Sequence, residues 1–329
     1  MRAFVSGHQT LLWWLHSLYV LGLGAAIMWL GARNYAWLRY SAFYLLFIWT
    51  SSLFLAEVVN RRGGVWPGRI RLGVNYINKN CYQQLLFFIL PIYAGSTTVK
   101  SGQLLFVVAL ASSAVLSTLD IVYDRVLSTR RTLAASFFAF NVFAVVNVAL
   151  PVLVGLSNQR ALLVAACAAM AGFVTLAWRP AHLGRRATWA GAAVGAVLVF
   201  LVADLTRPLV PPAPLRLVGT EFGTGLDRQR IGITGPLTSV AAAVGGRVYV
   251  STAVHAPLGL RDRVELRWYR DGRLLWASSP HDIVGGRREG FRLWSSILLP
   301  PRGTPGALRV EVVTAAGQLI GRGSITILP

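Results

Sequence analysis

Three carboxylates near the ends of apolar runs are the residues best placed to do chemistry in the first half of the chain. Glu57 ends one such run, and Asp120 and Asp124 end another. Acidic residues at membrane depth are costly and are frequently functional. Because Asp120 and Asp124 are four residues apart, they would share one face of a helix. That face could hold a metal ion on a diphosphate substrate.

Two readings of this acidic group stay open. Membrane prenyltransferases use repeated aspartate clusters of similar spacing, but here one cluster is present and Leu116 stands where those motifs begin with Asn. The alternative, which we favour, is interfacial ion pairing, with Asp124 beside Arg125 and Glu57 beside Arg61. The histidines are scattered and both cysteines fall within apolar runs, so we expect no metal site and no cofactor.

A second group with chemical potential is basic and aromatic, and it surrounds a Gly-Gly loop near the C-terminus. Its members are Tyr269, Arg270, Arg273, Arg287, Arg288, Arg292 and Trp294. Such a surface could contact anionic lipid headgroups, lipopolysaccharide or an acidic protein. The alternative is a solvated strand face around a buried Trp268, because alternation places Trp268 with Val264 and Leu266. The region has no Ser-His-Asp set and no phosphate-binding glycine loop, so an enzyme is the less favoured class.

Seven apolar stretches must position the first group, since crossing a bilayer takes about 20 helical residues. They are Thr10–Leu30, Ser41–Val59, Cys81–Val99, Leu104–Val122, Thr132–Val154, Ala161–Trp178 and Ala187–Leu205. This pattern predicts a multi-domain membrane protein with a seven-span α-helical bundle over residues 1–206.

Loop charges predict the orientation of that bundle. With the N-terminus in the cytoplasm, the cytoplasmic side holds twelve basic residues and the opposite side holds four, as the positive-inside rule expects. An odd number of spans then places the C-terminal domain outside the cytoplasm. Arginine makes up nearly all of the 32 basic residues and alanine is abundant, which suggests a GC-rich bacterial genome. We therefore expect a multi-pass protein of the bacterial inner membrane with a periplasmic C-terminal domain.

The remaining residues predict a connector and an all-β domain. Residues 207–214 read RPLVPPAP, a stiff segment spanning about 25 Å at ~3.1 Å per residue. Residues 215–329 alternate apolar and polar side chains, and Asp271-Gly272 is a strong two-residue hairpin signal. The predicted strands are Arg247–Ala256, Val264–Arg270, Arg273–Ser278, Phe291–Leu299, Ala307–Thr314 and Leu319–Leu328. Their lengths and turns favour an immunoglobulin-like β-sandwich without a disulfide.

Several segments carry a resemblance to a known family. They are WYRDGR (268–273), GGRREGFRLWS (285–295) and LRVEVVTAAGQLIGRGSI (308–325), with a looser match through LLFFILP (85–91), STLDIVYDR (117–125) and FNVFAVVNVALP (140–151). The chain resembles proteobacterial inner-membrane proteins of unknown function, which have a multi-span N-terminal half and a C-terminal β-domain of the domain-of-unknown-function 2914 type. The resemblance implies this architecture and no catalytic residue.

Two functional hypotheses follow. The favoured one is a non-enzymatic inner-membrane protein that presents a membrane-proximal periplasmic sandwich to an envelope partner or an anionic ligand. The alternative is a membrane enzyme or transporter that acts on a lipid-linked substrate through the Asp120/Asp124 face. Expected partners are membrane lipids, a periplasmic or inner-membrane protein, and a second copy of the chain. Gly191 and Gly195 favour close helix packing, either within the bundle or in a dimer. Nucleic acid is not expected, because the net charge of +20 would be divided across the membrane.

Overall fold

The computed structural model describes residues 9–31, 40, 43–44, 47–51, 65–119, 130–177, 185–241, 246–299 and 305–328. The longer helices of these residues are α1 (Gln9–Gly31), α2 (Val65–Gly95), α3 (Gln103–Thr118), α4 (Arg131–Val154), α5 (Asn158–Ala177) and α6 (Arg185–Thr206). The chain divides into two compact units. Unit 1 comprises residues 1–92, 107–149 and 161–205, and unit 2 comprises residues 93–106, 150–160 and 206–329.

The prediction of a seven-span bundle is wrong. Among the described residues, two helices are long and apolar enough to cross a membrane, α4 with 24 residues and α5 with 20. The predicted third span lies in α2, a 31-residue helix whose first half is polar. The predicted fourth span forms α3, whose 16 residues extend only about 24 Å at 1.5 Å per residue. Apolar runs predicted helices here, but the actual helix bounds decide which of them have the length of a span.

Two of the other predicted spans coincide with candidate spans among the described residues, and three do not. The predicted second span, Ser41–Val59, lies mostly outside the described residues. Helices α1 and α6 occupy the positions of the predicted first and seventh spans, but neither is one of the two candidate spans. The predicted fifth and sixth spans coincide with α4 and α5, joined by the short turn at Gly155.

Aromatic side chains form the centre of unit 1. The ring of Tyr82 packs edge-on against Phe137, with centroids 5.3 Å apart, and Phe138 lies next to both Tyr82 and Trp49. Gly172 makes room for this packing, since a Cβ there would lie 2.7 Å from the Phe138 ring. Edge-to-face rings of this kind contribute about 0.5–1.5 kcal/mol beyond the area that they bury.

Unit 2 is built on ten strands among the described residues. They are β1 (Arg216–Asp227), β2 (Gly232–Pro236), β3 (Ser239–Ala241), β4 (Gly246–His255), β5 (Arg261–Arg270), β6 (Arg273–Ala277), β7 (His281–Val284), β8 (Phe291–Leu299), β9 (Gly306–Thr314) and β10 (Leu319–Leu328). One sheet has the order β2-β1-β4-β8. The other has the order β3-β10-β9-β5-β6, with β7 also paired to β5. All pairs are antiparallel except β3 with β10.

The six strands predicted from the sequence are confirmed to within a few residues, and the β-sheet domain is confirmed with them. Trp268 is fully buried, as the alternation predicts, and its Nε1 donates to Ser295 Oγ at 3.0 Å. Apolar side chains from both sheets share one core around it, including Phe222, Val250 and Val310. Two sheets that close over a single core form a β-sandwich.

The proline-rich segment packs into unit 2. Residues Val210–Leu215 are all buried. Gln318 Nε2 donates to the carbonyl of Val210 at 3.0 Å, and Arg207 Nη1 donates to that of Ala316 at 3.0 Å. The turn between β9 and β10 therefore fastens this segment, which does not behave as a free spacer.

Two helix connections also belong to unit 2. Gln103, which is fully buried, donates through Nε2 to the carbonyl of Leu319 at 2.7 Å. Arg322 donates to the carbonyls of Val99 at 3.2 Å and Lys100 at 2.8 Å. At the other connection, Asp262 accepts hydrogen bonds from Asn158 at the start of α5. Side chains of the sandwich thus fix both helix turns by directed hydrogen bonds.

Candidate functional site

The acidic group predicted from the sequence, formed by Glu57, Asp120 and Asp124, lies outside the described residues. Within the described part of the chain, no group of three or more His, Cys, Asp or Glu side chains could hold a metal ion.

The basic group divides between the two sheets. Tyr269, Arg270 and Arg273 lie at the β5–β6 hairpin of the six-stranded sheet. Asp271 and Gly272 form its turn with φ of 47° and 85°, the left-handed pair that a type I′ turn requires. The carboxylate of Asp271 lies 3.9 Å from Arg270 Nε and accepts from the main-chain N–H of Ala307. Arg270 therefore has a carboxylate beside it.

Acidic partners accompany the arginines on the outer face of the six-stranded sheet. Arg267 pairs with Glu265 at 3.0 Å, and Arg309 pairs with Glu311 at 3.2 Å. The guanidinium of Arg309 also lies over the ring of Tyr269, 5.0 Å from its centroid. Because the register places Arg267 opposite Glu311, charges of opposite sign alternate across the strands. Arg261 and Arg263 of β5 lie on the same face, and Asp282 is 3.8 Å from Arg263. Most arginines of this face therefore have a carboxylate beside them, and it corresponds to the solvated strand face of the alternative interpretation.

The other predicted residues are on the four-stranded sheet or the loop before it. Arg292 and Trp294 alternate on β8 with the buried Leu293 and Ser295, so they point to the outer face. Arg292 pairs with Glu289 at 3.0 Å. Arg287 and Arg288 lie in the β7–β8 loop, and Arg287 lies over the ring of Phe291 at 4.8 Å.

Three further arginines join this outer face, and sequence reasoning missed them. The tip of the β1–β2 hairpin contacts β4 and β8, since Ser251 Oγ donates to the carbonyl of Ile231 at 2.8 Å and Arg292 donates to that of Arg230 at 3.1 Å. Arg228 lies in the same turn. Arg247 on β4 donates to Ser296 Oγ of β8 at 3.2 Å. No local sequence signal links residues 228–230 to residue 292, because the contact depends on the hairpin's path.

We define the basic face by six residues of the four-stranded sheet and its hairpin: Arg228, Arg230, Arg247, Tyr249, Arg292 and Trp294. Three carboxylates lie on or near this face. Glu289 pairs with Arg292, and Asp227 accepts from the main-chain N–H groups of Gln229 and Arg230. The third is Glu221 of β1, which the register places opposite Ser251 and so in line with Trp294. Four arginines against three carboxylates leave this face weakly positive. Trp294 is 40% exposed and adds an aromatic surface.

Comparisons with known proteins place the chain among families without an assigned activity. Residues 8–244 match the model of a family of unknown function, DUF5924, and residues 261–327 match that of a protein of unknown function, DUF2914. No curated protein matches the chain.

Among solved structures, an immunoglobulin-like protein from Pseudomonas aeruginosa is similar. It is 17% identical, with a TM-score of 0.23, and the match covers 35% of this chain and 98% of that one. The DUF2914 match agrees with the resemblance inferred for the C-terminal segments. Since the first family model covers more than half of the residues, the chain belongs to the DUF5924 family of unknown function.

Proposed function

We propose that this chain is a non-enzymatic, membrane-associated protein whose β-sandwich binds a phosphate-bearing anionic ligand, such as a lipid headgroup, on the basic face. The observation that carries the proposal is the difference in ion pairing between the arginines of the two outer faces. Arg267 and Arg309 of the six-stranded sheet have glutamate partners, whereas the described contacts of Arg228 and Arg230 include no carboxylate bound to their side chains.

The chemistry of the basic face suits such a ligand. Arginine presents several N–H donors in a planar fork that matches phosphate oxygens. Tyr249 and Trp294 add aromatic rings that each have an apolar body and one polar group, an O–H or an N–H. Such side chains favour the headgroup level of a bilayer. The combination fits a phosphate next to an apolar surface better than it fits a freely soluble anion.

Apolar helix surface supports association with a membrane. Helices α4 and α5 have the length and hydropathy of spans. On α6, Val197, Leu198, Phe200, Leu201 and Val202 are each more than half exposed. Successive helical residues are about 100° apart around the helix axis, so these side chains cover more of the helix circumference than the single apolar stripe of an ordinary surface helix. Lipid is the environment in which such a surface is stable.

Basic residues flanking α4 and α5 support an orientation that does not depend on seven spans. Arg130 and Arg131 precede α4 and Arg179 follows α5, whereas the connection between the helices has Arg160 alone. The positive-inside rule then predicts that the N-terminal end of α4 and the C-terminal end of α5 face the cytoplasm. The connection at Asn158, which is hydrogen-bonded to Asp262 of the sandwich, would lie on the periplasmic side of a bacterial inner membrane.

Vesicle binding tests the proposed function. The full chain, held in nanodiscs of phosphatidylcholine on a sensor surface, is exposed to vesicles of phosphatidylglycerol mixed with phosphatidylcholine, and to vesicles of phosphatidylcholine alone. We expect binding to the anionic vesicles that weakens as salt screens the charges. Equal binding to both kinds of vesicle, or binding that salt does not weaken, would contradict the proposal.

A further inference from the structure

A groove of about 680 Å³ lies in unit 2 between β1 and β10, one strand from each sheet. Its walls are formed by Leu217–Phe222 and Arg322–Ile325, and Pro236–Thr238 completes its lining. Both strands are only partly covered on this side. Strand β2 pairs with β1 from Gly223 onward, and β3 pairs with β10 from Thr326 onward.

The path of the chain after β2 explains why these edges stay open. Proline at 236 ends β2, and Leu237 N–H then donates to the carbonyl of Phe222 at 2.8 Å. The chain next crosses to the other sheet, where β3 begins at Ser239. In the described residues, β1 before Gly223 and β10 before Thr326 have no strand beside them on the groove side.

The free edge of β1 presents main-chain hydrogen-bonding groups to the groove. Since the Phe222 carbonyl points away from β4 to reach Leu237, the main-chain groups of Thr220 point the same way by the two-residue period of a strand. An uncovered strand edge with unmatched polar groups is a template for another strand.

The groove also has a charge preference. Glu221 is exposed, and no cation pairs with it among the described residues. The nearby Arg322 is already hydrogen-bonded to the carbonyls of Val99 and Lys100. Leu217, Phe222 and Ile325 supply apolar walls. The available partner surface is therefore apolar with one unpaired negative charge.

We propose that this groove binds an extended peptide segment of a partner protein, which adds as a strand to the edge of β1 and places a basic side chain against Glu221. Main-chain hydrogen bonds provide affinity in this mode of recognition, and alternate side chains provide specificity. After the β-bulge between Leu217 and Gly219, residues 219–222 offer a regular edge of about 13 Å at ~3.3 Å per residue. Glu221 lies on the same outer face of the sheet as Trp294, but peptide binding and vesicle binding are measured separately, so this inference and the proposed function can fail independently.

A display library of random octapeptides is the probe, selected against the full chain in nanodiscs. Thr238→Trp adds a large ring to an exposed residue that lines the groove, and Thr326→Trp is the matched control, an exposed threonine that does not line it. We expect enrichment of peptides with alternating apolar residues and a Lys or Arg. Their binding should be lost in Thr238→Trp, retained in Thr326→Trp, and weakened at least tenfold in Glu221→Lys.

Two results would overturn the inference. One is the absence of any peptide that the wild-type chain enriches over Thr238→Trp. The other is enrichment of peptides whose binding Glu221→Lys leaves unchanged. Thermal unfolding of Thr238→Trp at the wild-type temperature verifies that its loss of binding does not come from misfolding.

Discussion

Asp262 of strand β5 caps the first turn of helix α5 through Asn158. Its Oδ2 accepts the main-chain N–H of Asn158 at 3.0 Å and the side-chain Nδ2 at 2.9 Å, and its Oδ1 accepts the N–H of Arg263 at 2.8 Å. Both Asp262 and Asn158 are buried. A carboxylate at a helix N-terminus also interacts favourably with the helix dipole. This one side chain joins a strand of the sandwich to the turn between the two candidate spans.

Replacing Asp262 by Ala removes both acceptors and leaves the buried Asn158 donors without partners. We expect unit 2 to lose about 1–3 kcal/mol of stability, the usual cost of an unsatisfied buried polar group. Thermal unfolding of the full chain in detergent measures the loss. Asp282→Ala is the matched control, because its side chain is 89% exposed and lies 3.8 Å from Arg263. Equal effects of the two substitutions would refute the capping role.

Trp268→Ala should be among the most damaging substitutions in the sandwich. The ring is fully buried between the sheets, and its Nε1 is hydrogen-bonded to Ser295. Truncating a buried Trp typically costs about 3–5 kcal/mol. Trp276, directly opposite on β6, is 45% exposed and should tolerate the same change with a small loss. Denaturant unfolding of both variants tests the difference, and a small loss at Trp268 would show that the core is assigned incorrectly.

Gly285 is required for a close approach between two loops. A Cβ at this position would overlap the main-chain carbonyl of Pro257, which cannot move as a flexible side chain could. We expect Gly285→Ala to destabilise the sandwich by about 1–3 kcal/mol or more, as overpacking does. Gly232→Ala serves as control, because no atom lies within 4 Å of a Cβ there. Chemical unfolding curves for the pair provide the comparison.

His255 should make the stability of the sandwich depend on pH. Burial lowers the pKa of His255 below its usual value, and repulsion from the neighbouring Arg216 lowers this pKa further. Between the folded and unfolded pKa values the unfolded chain therefore binds more protons. Stability should be fully present above about pH 6.5, the usual histidine pKa, and should fall as the pH decreases toward the folded pKa.

His255→Gln provides the test of this pH dependence. With the titrating ring removed, the decline in melting temperature between neutral and mildly acidic pH should become shallower than in the wild-type chain. An unchanged slope would assign the acid sensitivity to other groups. His281→Gln, at the start of β7, controls for the loss of a histidine as such.

Local patterns predicted the parts of the fold that depend on local chemistry. The Asp271-Gly272 pair predicted its hairpin, and alternation around Trp268 predicted the buried face of β5. Strand β1 escaped detection because its three glycines and its charged residues within LVGTEFGTGLD obscure the alternation. Each of these outcomes follows from interactions over a few residues.

Non-local contacts explain the rest. Arg230 and Arg292 are 62 residues apart, and only the path of the β1–β2 hairpin brings them together on the basic face. The predicted site therefore combined Arg270 and Arg273, which belong to the other sheet, with Arg292. The seven-span prediction failed for a similar reason, since hydropathy marks apolar residues and does not give the ends of helices α2 and α3.

Binding of the anionic ligand to the basic face is tested most directly by two double variants that each remove two positive charges. One carries Arg230→Gln and Arg247→Gln on the basic face, and the other carries Arg263→Gln and Arg267→Gln on the six-stranded sheet. Each arginine near an anionic surface contributes about 1 kcal/mol, so the first pair should weaken binding to phosphatidylglycerol vesicles roughly thirtyfold. The second pair should change it by less than about twofold. Equal weakening by both pairs, or no weakening by the first, would contradict the account.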